Sequence, residues 1–392
     1  MQHDVNSRED ALGAAPDAPP ADERFAAPEE RERRVPVVPR VYLVQLDLHT
    51  PNQEQTLALG FGLLRAGWDA RIFCREGARL AGRAQAKGLS VHTLPREGER
   101  TIPMLWSFFR GLKGHSKQPS VVHACDPAAS LLAATAWRIN KRLHIVHTRR
   151  VPVMESSVKA VKRYAVPDVD IITDTLAGKV ALQLSGLSTQ KVHVIPCGLD
   201  PSEYPASLPR GDGRFVYAVM GEMAEGNGCS LVYSALDILH SQVTSTPWEV
   251  RFLGNGPAFG KILDDAMTRG IAEHLVFLAE IDESEALRSC DCLILATEEG
   301  ESYLPLILHG WACNVPVITV NRLDHAEILV ADTNCLLVQP GDAAGLATQM
   351  ARVSHDANLR RRLVKGGRAA LARFSLKAMS EAHMKLYRRV FV

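Results

Sequence analysis

FVYAVMGEMAEGNGCSLVYSALDILHSQVTSTPWEVRFLGNG, residues 215–256, is the stretch on which the fold turns. FVYAVM is an apolar run of strand length that stops at Gly221. SLVYSALDILHSQ then repeats its apolar residues at helical spacing, and EVRFLGNG is a second apolar run ending in a Gly-rich turn. Strand, helix, strand, with strands apolar on both faces, is a βαβ unit of a parallel sheet covered by helices on either side.

Downstream, the alternation continues through FGKILDDAMTRG, LVFLA, SEALRSC, DCLILAT, PLILHGWACN, VPVITV and CLLVQPGD. It closes with helices over 343–353, 358–374 and 376–389. Upstream, a stretch with three prolines and three glycines, GLDPSEYPASLPRGDG, breaks the pattern and reads as a linker. Before it lies a second alternating series from VYLVQLDL through SVVHAC, HIVHT and DIITDT to VHVIPCGLD. The reading is α/β, with two Rossmann-like doubly wound domains facing each other across a cleft. They span 40–200 and 213–375, joined by a linker over 201–212, and the 376–392 helix returns to the first domain. Ligands of such sheets bind beyond the carboxyl ends of the strands. Residues 1–39 are rich in Ala, Pro and charge and poor in large apolar side chains, so they are expected to be disordered.

The length of 392 residues suits two domains at about 150 residues each. Lys and Arg total 45 against 44 Asp and Glu, a net charge of +1 that argues against nucleic acid as a partner. No apolar run approaches the ~18 residues of a membrane span. The start, MQHDVNSRED, lacks an export signal, so a cytoplasmic location is expected. The eight cysteines show neither a CxxC pair nor a zinc spacing and read as buried thiols.

The second half carries an ordered series: FLGNGP, then RGIAEHLVFLAEIDESEALRSCDCLILAT, ESYLPLILHGWACNVPVI, NCLLVQPGDAAGLA, NLRRRLVKGGR and FSLKAMSEAHMKLY. In the first half, VVHACDPAASLLAA precedes IVHTRR, and VHVIPCGLD stands at the junction. Together these resemble the family 4 (group 1) glycosyltransferases, retaining enzymes of the GT-B fold. The resemblance covers about residues 41 to 392. It implies a donor nucleotide sugar and a glycan, lipid-linked or small-molecule acceptor. It implies neither a cofactor nor a metal.

Breaking the bond to a nucleotide diphosphate puts negative charge on the leaving group, which preorganised cations and amides stabilise. The family supplies an Arg and a Lys from a G-R-x-x-x-x-K-G motif. Here that stretch is GEMAEGNG, with Glu222 in place of the Arg and Asn227 in place of the Lys. No Lys or Arg occurs between Phe215 and Arg251 to replace them. In the family's E-x7-E motif, Glu301 takes the first position, facing the donor sugar, and His309 the second, facing the ribose. Tyr303, Leu304 and Pro305 replace a Gly-rich turn whose amides approach the phosphates. Gly254 and Gly256 form a strand-to-helix turn, and Glu327 matches an acid near the nucleotide. In the first domain, a turn through Asn52 and Gln53 stands where the family has Gly-Gly on the acceptor side, and His123 belongs to the same side.

His123 and His147 end apolar strands, where a histidine is as often structural as functional. The family residue matching His147 lies near the donor sugar, which makes it, with Glu301, the catalytic candidate. Arg149 and Arg150 follow directly. They are either a replacement phosphate clamp or a solvated pair. Three readings stay open: a transferase, a non-catalytic binding or scaffold protein with a decayed donor site, and a nucleotide-sugar epimerase. A peripheral contact at the inner membrane face is a further expectation; the oligomeric state is not legible.

Overall fold

The computed structural model describes residues 40–47, 52–96, 102–112, 120–150, 169–184, 186–187, 191–204, 211–221, 228–242, 246–254, 259–278, 283–297 and 302–391. The expected tail over 1–39, and the candidates Glu222, Asn227, Gly256 and Glu301, lie outside them.

Seven parallel strands build the first sheet: β1 (Arg40–Gln45), β2 (Asp69–Arg75), β3 (Ser90–Leu94), β4 (Ser120–Ala124), β5 (Leu143–Thr148), β6 (Asp170–Thr173) and β7 (Val192–Val194). Their order is β3-β2-β1-β4-β5-β6-β7, so the winding reverses between β1 and β4. The alternation of β1 explains why both faces are covered. Val41 and Leu43 point into one core and Tyr42 and Val44 into the other. The flanking helices are α1 (Asn52–Arg65), α2 (Arg79–Ala86), α3 (Ile102–Leu112), α4 (Pro127–Ile139) and α5 (Leu176–Leu184). Asp126 starts α4 by accepting from the Ala129 amide at 2.8 Å. The other oxygen of that carboxyl accepts from the Leu46 amide at 2.5 Å, which ties the ends of β1 and β4 together.

The second sheet repeats the plan with six parallel strands: β8 (Phe215–Met220), β9 (Trp248–Leu253), β10 (Leu275–Leu278), β11 (Cys292–Leu295), β12 (Val317–Val320) and β13 (Leu336–Val338), in the order β10-β9-β8-β11-β12-β13. Phe215, Tyr217 and Val219 face one core, and Val216, Ala218 and Met220 face the other. Its helices are α6 (Cys229–Ser241), α7 (Phe259–Thr268), α8 (Glu283–Arg288), α9 (Leu304–Ala312), α10 (Ala343–His355) and α11 (Ala357–Leu371). Gly228 is required before α6: its φ is +77°, and a Cβ there would fall 2.8 Å from the Thr297 nitrogen.

The last helix, α12 (Leu376–Tyr387), lies on α1. A Cβ on Gly62 of α1 would sit 2.9 Å from the Ser380 Cβ, so only glycine allows this approach. The chain therefore crosses between the domains twice, and the crossings are zipped. The Leu199 amide donates to the Phe374 carbonyl at 3.0 Å, and the Leu376 amide donates to the Leu199 carbonyl at 2.9 Å.

One local expectation is corrected. Asn52 and Gln53 are not a turn but the first residues of α1, both buried. Asparagine is a poor helix former whereas glutamine is a good one, and both are buried at the start of α1. Gln53 Nε2 donates to the Asp47 carbonyl at 2.7 Å.

Candidate functional site

The carboxyl ends of β5 and β6 in the first domain meet the loop before α9 and the 3-10 turn Leu323–His325 (η1) of the second. Two hydrogen bonds donated by backbone amides cross this seam. The Ser302 amide donates to the Arg150 carbonyl at 3.2 Å, and the Leu176 amide donates to Glu327 Oε1 at 2.9 Å. Glu327, expected beside the nucleotide, is thus spent on the first residue of α5, across the seam.

Arg150 is the cation at the centre. Its guanidinium donates to Asn52 Oδ1 at 3.0 Å, so an acceptor-side candidate and a phosphate candidate are brought together. Arg149 is 8% exposed, and its amide donates to the Ile172 carbonyl at 2.7 Å, extending the β5–β6 ladder. The reading of a solvated arginine pair is therefore excluded: Arg149 is buried and Arg150 half-buried.

On the other side, Ser302 Oγ lies 3.0 Å from His325 Nε2, and the same nitrogen is 3.4 Å from Asp324 Oδ2. Arg322 grips Asp324 through two bonds of 3.0 Å. Arg322 also stacks over the Tyr303 ring, 5.4 Å from its centroid. Burial holds His325 down to about 4, so its imidazole is neutral at pH 7. Tyr303 is 7% exposed, whereas Leu304 is wholly buried in the second domain's core and its amide donates to Ser302 Oγ at 3.3 Å. Leu304 is therefore not a donor-facing residue, because Ser302 and the core use its amide and side chain.

His147 is fully buried, next to last in β5, and burial lowers its imidazole to about 3. It is a neutral ring throughout the physiological range. His123 is corrected from an acceptor-side residue to an interior one. Its Nδ1 is 2.6 Å from Tyr387 Oη and its Nε2 is 2.6 Å from Thr148 Oγ1, with the His383 ring 5.6 Å away. His309 is buried against the linker, its ring tilted by 31° against Tyr204 at 4.9 Å, with Nε2 3.2 Å from the phenol oxygen. Gly254, with φ +125°, ends β9, and its Cα approaches the Gly221 carbonyl closely enough that a Cβ would stand 3.3 Å away. The two glycines form a side-chain-free floor at the ends of β8 and β9.

The sequence reading missed Asp174, Ser302 and Gln55. Asp174 follows β6 and is 3% exposed; burial raises its carboxyl to about 6. Gln55 Oε1 accepts from the Gly198 amide at 3.0 Å, next to the domain crossing. An acid directly after an apolar strand, as in DIITDT, was the available signal for Asp174. Among the described residues, no group of three or more His, Cys, Asp or Glu side chains is placed to hold a metal, and no helix is long and apolar enough to cross a membrane.

Comparison with known proteins follows the same division. A family model described as "Glycosyl transferases group 1" matches residues 214–356, and one described as "Glycosyltransferase Family 4" matches residues 53–203. The chain is 27% identical over 124 residues to a phosphatidyl-myo-inositol mannosyltransferase of Mycobacterium leprae, covering 31% of this chain and 33% of that protein. It is 24% identical over 186 residues to the lipopolysaccharide core biosynthesis glycosyltransferase LpsD of Rhizobium meliloti, covering 47% of this chain and 52% of that protein. The chain thus spans from a third to about half the length of these curated relatives. Among solved structures, HepE of Anabaena in complex with UDP-glucose superposes with a TM-score of 0.76 at 15% identity, over 89% of this chain and 99% of that one. A glycosyltransferase from Rickettsia africae superposes with a TM-score of 0.73 at 15% identity, over 91% and 99%. At that identity the likeness speaks for the two-domain fold.

Proposed function

Because this chain belongs to the group 1, family 4 glycosyltransferases, of GT-B fold, we propose that it moves a hexosyl group from a nucleotide sugar to a glycan, lipid-linked or small-molecule acceptor, with retention. The observation that carries the reading is the position of Arg150, a half-buried cation at the carboxyl ends of the first sheet, in contact with the loop before α9. A guanidinium there meets developing charge on a leaving diphosphate in a partly dry cleft. Neutral His147 and Glu301 are the residues we assign to the donor sugar. The glycine floor of Gly221 and Gly254 lets a nucleotide approach the backbone. No metal is required, so binding should survive a chelator. The reading places the chain in the cytoplasm, with peripheral contact at the inner membrane face when the acceptor is lipid-linked.

The scaffold reading has its own support: the sequence places Glu222 and Asn227 where the family carries its two cations. Calorimetry with UDP and other nucleoside diphosphates, with chelator present, decides between them. Binding by the wild type that is lost in Arg150→Ala, together with sugar release from a radiolabelled donor, supports the transferase. Weak binding that tightens only in Glu222→Arg/Asn227→Lys supports the scaffold. Binding by none of the three removes the transferase and the epimerase readings.

A further inference from the structure

One helix on the first sheet is apolar on the side that faces water. The sequence of α3, IPMLWSFFRGL, has Arg110 as its one charged residue. Met104, Phe108 and Leu112 point into the first domain's core. Ile102, Trp106 and Arg110, at i, i+4 and i+8, form the opposite side. Ile102 is 84% exposed and Trp106 60%, the one exposed aromatic ring among the described side chains. A surface helix of a globular domain normally turns its polar residues outward. Beside it, α4 packs over the same core and repeats the arrangement at its end. Ile139 is 64% exposed, and Lys141 Nζ stands 3.3 Å from the centroid of the half-buried Trp137 ring. The Arg110 guanidinium lies 5.2 Å from the Trp106 centroid. Two neighbouring helices thus carry the same set: a tryptophan, a cation four residues on, and a bare isoleucine.

We propose that this face of α3 and α4 docks on the surface of an anionic lipid bilayer. Tryptophan and isoleucine enter the boundary between headgroups and acyl chains, and the cation beside each indole stays among the phosphates. The charge of the surrounding chain selects that partner. Residues 71–142 hold 13 Lys and Arg against 4 Asp and Glu, in a chain whose net charge is +1. A leaflet rich in acidic lipids attracts such a segment. A second copy of the chain would set two cationic faces against each other, which like charge opposes. A nucleic acid backbone would leave Ile102 and Ile139 without an apolar partner. This docking rests on the peripheral contact in the function proposed above, and the first domain makes it with no acceptor bound.

Co-sedimentation of the full chain with vesicles tests this without donor or acceptor. Vesicles of phosphatidylcholine are compared with vesicles carrying about 30% phosphatidylglycerol. Partitioning onto the anionic vesicles should be about tenfold stronger, and about 0.5 M salt should remove most of that gain. Trp106→Glu/Ile139→Glu, both at exposed positions, should lower it about tenfold with the melting temperature unchanged. Met267→Glu/Leu184→Glu adds the same two charges at exposed apolar positions elsewhere and should leave it within about twofold. Equal partitioning onto both vesicle types, no partitioning, or equal losses in the two variants overturns the docking. So does a wild type that ignores vesicles but dimerises by light scattering or binds a DNA duplex. A second readout needs no variant. Of the five tryptophans, Trp68, Trp248 and Trp311 are buried, so quenching by acyl-brominated anionic lipid reads Trp106 and Trp137. Bound protein whose emission is not quenched also overturns the docking. Calorimetry decides the transferase separately: a chain that binds UDP but no vesicle loses only the docking, and one that binds vesicles but no UDP keeps it.

Discussion

His123 and Tyr387, 264 positions apart, share a 2.6 Å hydrogen bond. The other imidazole nitrogen is taken by Thr148, so the ring joins the second-last helix turn of the chain to the middle of the first sheet. Tyr387→Phe removes one partner and leaves a ring nitrogen buried and unsatisfied. The expected loss is about 1–3 kcal/mol of unfolding free energy, read from urea denaturation at pH 7.5. A loss below about 0.5 kcal/mol would show that the bond carries no net stability.

His383 gives a pH-dependent counterpart. Burial lowers it to about 4 from an ordinary 6.5. The unfolded state therefore binds its proton first, and the stability tied to the neutral ring is full above pH 6.5 and lost as the pH falls toward 4. His383→Leu cannot gain that proton. The stability difference between wild type and variant should shift by about 2 kcal/mol in the variant's favour between pH 7.5 and 5. A difference that stays constant with pH would refute the assignment.

Gly198 stands at the first domain crossing, where a Cβ would fall 2.8 Å from the Ser375 carbonyl oxygen and 2.9 Å from the Met379 Cβ. Backbone cannot swing aside as a side chain can. Gly198→Ala should destabilise by about 1–3 kcal/mol, whereas Gly211→Ala, with nothing within 4 Å, should be near neutral. Paired melting curves check this, and equal midpoints for the two variants would contradict the crowding.

Arg150→Ala should weaken nucleoside diphosphate binding at least tenfold, or about 1.4 kcal/mol. Asn52→Ala, which removes the oxygen to which the guanidinium donates but leaves the cation, should cost less. If Asn52→Ala proves the more damaging, the cation is not the anchor.

The alternating architecture was legible because the central strands are apolar on both faces. Val41 to Val44 read as one unbroken run, since two cores claim alternate residues. The start of α1 was not legible. Pro51 and Asn52 have the local chemistry of a turn, whereas in the fold Asn52 is a buried helical residue whose amide oxygen accepts from Arg150. Arg150 itself was readable from its place after an apolar strand. Its neighbours were not, because Asn52 and Asp174 reach the end of β5 only when the first sheet is assembled, and Ser302 only when the second domain meets it. His123 looked like a strand-end ligand for a related reason: the side chain that occupies it, Tyr387, arrives from the far end of the sequence.

The packing of α12 has a consequence for the order of assembly. Leu376, Met379, Met384, Leu386 and Tyr387 belong to the same core as Val41, Leu43 and Leu57. During translation those residues emerge only after the whole of the other domain has been made. The first half of the chain must then wait with one wall of its interior exposed while its neighbour, whose core is local, is free to condense. Vectorial folding of multidomain chains normally runs from the first domain to the last. Here the ribosome finishes the second domain's core before it can seal the first.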